Sequence, residues 1–95
     1  MIGLDSNVLL RYLMQDDSIQ SPKATSIIEN FVISSPGYIS VVVLAETAWT
    51  LRRTYKFSAD EVAAAIVGLL QSANLVVQEE QAVVEALHAC REGRG

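Results

Sequence analysis

Short apolar runs of strand length alternate along this chain with longer segments of helical spacing, and that alternation restricts the fold more than any single residue. Met1-Ile2-Gly3-Leu4 reads as a first strand and Ser6 to Met14 as a helix, with Asp5 or Ser6 able to cap its free amides. Gln15-Asp16-Asp17-Ser18 interrupts the pattern. Ser21-Pro22 then offers a cap and a first-turn proline to a helix whose Ala24, Ile27, Ile28, Phe31 and Val32 share a face. Ser34-Ser35-Pro36-Gly37 ends it, and Tyr38-Ile39-Ser40 follows as a second strand. From Val41 to Tyr55 the chain is long enough for a helix, although Val41-Val42-Val43 has the β-branched character of a strand. Ser58 and Glu61 form a capping box that opens a helix running to Leu70. Asn74 to Val77 reads as a third strand. Glu79 to Glu92 closes as a helix with Val83, Leu87 and Cys90 on one face and Gly93 as its C-cap. The order βααβααβα predicts an α/β fold, a parallel sheet covered by helices on both faces and wound by right-handed crossovers.

Composition narrows the function classes. The 95 residues fit one domain, residues 1–95, and 51% hydrophobic with 19% charged residues excludes a disordered chain. The best apolar stretch, Val62 to Leu70, falls far short of the roughly 20 residues a membrane span needs. The start lacks the basic segment of a secretory signal, so a cytoplasmic protein is expected. A net charge of −4 argues against holding nucleic acid by a broad basic surface. It leaves room for a nuclease whose carboxylates bind cations that bind phosphate in turn. Cys90 is the single cysteine, which excludes an internal disulfide, and it reads as a small helix residue. His88 near a helix end reads as solvent-facing, and Trp49 and Tyr12 as core or interface residues.

Two carboxylates stand apart from other charges. Asp5 precedes every other charged residue, at the carboxyl end of the first strand, where ligands bind in open α/β sheets. It suits a helix cap. The alternative, which can coexist with the cap, is a hard oxygen ligand for magnesium, with Ser6 and Asn7 orienting it. Glu46 is the only charged side chain between Asn30 and Leu51, and its helical neighbours Val42, Val43, Trp49 and Thr50 suggest an apolar setting. A buried carboxylate there needs a cation, either an arginine among Arg11, Arg52 and Arg53 or a metal shared with Asp5. Arg52, Arg53 and Lys56 are the only concentrated positive charge, fit for phosphate contact or for an ordinary solvated helix end. No glycine-rich phosphate loop or Cys/His metal spacing is present.

The string Leu4-Asp5-Ser6-Asn7-Val8-Leu9-Leu10-Arg11-Tyr12-Leu13, taken with Ile39-Ser40-Val41-Val42-Val43-Leu44-Ala45-Glu46, resembles the PIN-domain family. It is most similar to the VapC-type toxins of bacterial toxin–antitoxin pairs. The Ser21-Pro22-Lys23-Ala24 helix, the Arg52-Arg53-Thr54-Tyr55 stretch and Cys90-Arg91-Glu92-Gly93 extend the likeness over the whole chain. The resemblance implies a three-layer α/β/α fold and a Mg2+- or Mn2+-dependent endoribonuclease. Asp5 and Glu46 would be its metal ligands, with Ser6 and Asn7 completing the catalytic set. Ser6 stands where the family usually has threonine, a change that keeps the hydroxyl. The partners it implies are RNA, a cognate antitoxin and a second copy of the chain.

The family pattern continues beyond the equivalent of Gly95 with further acids, a strand and a helix. The resemblance therefore implies a sheet incomplete at the C-terminal end, a domain truncated after Gly95, and missing acidic ligands. The alternative is a noncatalytic interaction or self-assembly module on the same scaffold. A phosphoaspartate-type protein is a third option, but the second neighbouring acid of that chemistry is lacking.

Overall fold

The computed structural model describes residues 2–91, and side chains as far as Ala86. Expectations for Met1, Glu92 and Gly93, and for the side chains of Leu87, His88 and Cys90, lie outside the described residues. The elements follow the expected order: β1 (Ile2–Gly3), α1 (Ser6–Met14), α2 (Gln20–Glu29), β2 (Gly37–Ile39), α3 (Val41–Arg53), α4 (Ala59–Leu70), β3 (Leu75–Val77) and α5 (Glu80–Arg91). The sheet is parallel, with β2 in the middle. Ile2 pairs with Gly37 and Gly3 with Tyr38, while Gly37, Tyr38 and Ile39 pair with Leu75, Val76 and Val77. The expected mixed α/β class with a parallel sheet is observed, and it is consistent with an α/β/α arrangement.

Three local differences have physical causes. Ser40 is not in β2: it turns out of the strand at φ −75° and ψ 160°, and its Oγ accepts from Val43 N at 3.2 Å. That cap starts α3 at Val41. The Val41 amide, a first-turn donor with no helical partner, donates to Gln78 Oε1 at 3.0 Å. With these donors satisfied, the valine triplet is helical despite its strand propensity.

The second difference is at the start of α2. Ser21 does not cap it. Asp17 Oδ1 accepts from Ile19 N at 2.9 Å and Gln20 N at 2.6 Å, so the helix begins at Gln20. Ser21 is buried, and its Oγ accepts instead from Asp17 N at 3.3 Å. Those two amides, with Arg11 beside them, hold the Asp17 carboxyl below its usual value of 3.8. Third, α2 stops at Glu29, and Phe31 enters the core from the following turn while Val32 bridges Ser35. The capping box of α4 forms as expected, with Ser58 Oγ accepting from Glu61 N and Glu61 Oε1 accepting from Ser58 N.

The core lies where the sheet meets the helices, centred on the fully buried Leu9, Ile39 and Leu51. At its tightest point β2 needs a residue without a side chain. A Cβ on Gly37 would sit 2.7 Å and 2.8 Å from two ring carbons of Phe31 and 3.1 Å from Leu75 Cδ2. Gly37→Ala is therefore expected to destabilise the domain by about 1–3 kcal/mol through overpacking, measurable by urea titration.

Candidate active site at the start of α1

Asp5 owes its position to β1. Leu4 N donates to Tyr38 O at 2.8 Å, carrying the strand pairing to the residue before it. Asp5 is then extended, at φ −97° and ψ 169°, and Oδ1 accepts from Val8 N at 2.9 Å. It is the N-cap of α1, as its place in the sequence allows. The side chain is exposed, and among the described residues no ion pair or further hydrogen bond engages its second oxygen.

The structure divides the expected site residues between two open cavities to which the first turn of α1 contributes. Asp5 and Asn7 line one of about 450 Å³, between α1 and α2, with Arg11, Gln20 and Lys23. Ser6 and Glu46 line another of about 480 Å³, with Ala45, Trp49 and Thr50 of α3. Asp5 lines the first of these two cavities and Glu46 the second, and Ser6, the residue after Asp5, lines the second as well.

The apolar setting expected for Glu46 is not observed. Leu44, Thr47 and Leu51 form the buried row of α3, and the opposite row puts Glu46 in solvent with Val42 and Trp49, which are 68% and 61% exposed. Trp49 is therefore not a core residue. A solvated carboxylate needs no counter-charge. None of the three candidate arginines pairs with it: Arg11 lies 4.0 Å from Asp16 and 3.9 Å from Asp17, Arg52 lines a different cavity, and Arg53 lies over Trp49.

Lys23 was not singled out by spacing or charge. It reaches the Asp5 cavity because α2 packs against α1, a tertiary fact with no local signal beyond a cation one turn into a helix. With Arg11, which also lies against Asp16 and Asp17, it lines the cavity that Asp5 lines. That combination suits a phosphate held beside a cation.

Among the described residues no group of three or more His, Cys, Asp and Glu side chains is placed to hold a metal. The donor chemistry still fits a hard dication. Magnesium keeps several waters and takes one or two carboxylates together with substrate phosphates. Asp5 and Glu46 are water-accessible carboxylates of this kind, and neither is committed to an ion pair among the described residues.

Among the described residues no helix is long and apolar enough to cross a membrane. No curated protein and no solved structure matches the chain. Residues 2–95 match the PIN domain, and with nearly the whole sequence covered, the chain belongs to the PIN domain family.

Proposed function

We propose that the chain is a metal-dependent endoribonuclease, a cytoplasmic toxin of the VapC type that hydrolyses RNA phosphodiester bonds. PIN domains are generally nucleases, typically with divalent metals, which sets the reaction class. One observation carries the assignment of the site. Asp5 is fixed at the end of β1 by its capping bond with one oxygen free, and the next residue, Ser6, shares a cavity with Glu46.

In this proposal Asp5 and Glu46 hold Mg2+ or Mn2+, and Ser6 and Asn7 orient the carboxylates. A bound dication would neutralise charge on the phosphate and lower the pKa of a water. Lys23, with Arg11 on the same wall, contacts the RNA backbone in the α1–α2 cavity. Homodimerisation and an antitoxin tail laid over the Asp5 groove belong to the same proposal.

Chelation tests it. Incubated with unstructured RNA and Mg2+, the protein is expected to cut internally. EDTA should stop the cleavage and excess Mg2+ or Mn2+ restore it. Cleavage undiminished by the chelator would defeat the metal assignment. The placing of Asp5 and Glu46 in different cavities among those described favours a second reading, a noncatalytic interaction module. No RNA turnover at any cation concentration, with partner binding retained, would establish it.

A further inference from the structure

Trp49 is one helical turn beyond Glu46 on α3 and lines the same cavity as Ser6, Glu46 and Thr50. Trp49 is 61% exposed, and the Arg53 guanidinium carbon lies 5.2 Å from the ring centroid. The core row of the helix is filled by Leu44, Thr47 and Leu51, so packing of the described domain does not use the indole. A large aromatic left in water beside a carboxylate cavity, with a cation on its ring, has the composition of a nucleobase platform. Unpaired bases stack on aromatic faces and on guanidinium planes, whereas bases in a duplex are already stacked on one another.

We infer that Trp49 is a stacking platform for an unpaired RNA base, with Arg53 as the positioning residue that steadies the ring, and that it confines the site to single-stranded RNA. The inference rests on the nuclease proposal for the site's purpose, but its test does not depend on turnover. The acidic chain favours this mode. A net charge of −4 argues against binding by a broad basic surface, and stacking adds affinity without further positive charge.

Trp49 is the single tryptophan of the chain, so its fluorescence reports directly on the ring. In the Asp5→Asn background, which keeps RNA intact, an unstructured oligoribonucleotide is expected to quench this emission. The same strand annealed to its complement should not. Trp49→Ala should weaken binding of labelled single-stranded RNA about tenfold, and Trp49→Phe should recover most of it. Equal quenching by the duplex would overturn the inference. So would unchanged affinity in Trp49→Ala, or a change of solution mass in that variant with RNA binding intact, which would assign the ring to a protein contact. The nuclease proposal fails on a different result, cleavage by Asp5→Asn at the unsubstituted rate.

Discussion

Asp5→Asn is expected to lower RNA cleavage by about a hundredfold or more while leaving thermal unfolding almost unchanged. The two halves of this expectation come from separate properties of one side chain. Asparagine caps a helix about as well as aspartate, so the bond from Val8 N to Oδ1 at 2.9 Å has a ready replacement. What asparagine lacks is the anionic oxygen that a hard dication requires. Asp5→Ala removes both and should lose about 1 kcal/mol of stability along with the activity. Glu46→Gln should match Asp5→Asn in cleavage, since Glu46 is solvent-exposed and not part of the core. A fluorogenic RNA assay paired with melting curves reads both quantities. Asp5→Asn protein that cleaves normally would leave Asp5 as a cap and nothing more.

The largest effect on stability is expected at the centre of the core. Leu51 is fully buried on α3, among the side chains that join the helices to the sheet. Leu51→Ala deletes buried methyl groups and leaves a cavity, a change that costs about 2–5 kcal/mol. Against a total of about 5–15 kcal/mol for domains in general, that is a large fraction. The melting temperature should fall by at least about 8 °C. Val42→Ala, on the same helix but 68% exposed, should stay within about 0.5 kcal/mol of the parent. Circular dichroism melts of the two variants would test whether α3 faces inward by the row Leu44, Thr47 and Leu51. Equal losses would mean that it does not.

The order of elements was legible because each boundary carries a chemical signal that acts locally. Ser58 and Glu61 satisfy each other's amides wherever the chain goes next, and Asp5 caps from the end of a strand. The start of α2 was misassigned for the converse reason. Asp17 and Ser21 are both competent caps, and the choice depends on burial of Ser21, which follows from packing. For α3 the pattern was misleading in itself. Val42 and Trp49 are apolar yet face water, so the side chains around Glu46 imply burial that the fold does not provide. Counting apolar residues cannot separate the two faces of such a helix.

Candidates for the proposed site can be read from the sequence, but not their arrangement. Strand-end placement makes Asp5 a candidate, and isolation from other charges makes Glu46 one. Neither property encodes that Ser6 would face the Glu46 cavity while Asn7 joins Asp5, because that depends on how α1 lies between α2 and α3. Arg11 and Lys23 come together for the same reason.

The shortness of β1 has a consequence of its own. Among the described residues Ile2 and Gly3 form the strand, it lies at the border of the sheet, and Ile2 is 62% exposed. Backbone segments of this kind open locally at a small fraction of the free energy that melts a whole domain. Fraying of Ile2 and Gly3 would let the Asp5 carboxylate slacken while Leu51 stays packed. Order at the carboxylate and resistance to heat would then be separable, and a variant would lose the first while keeping the second.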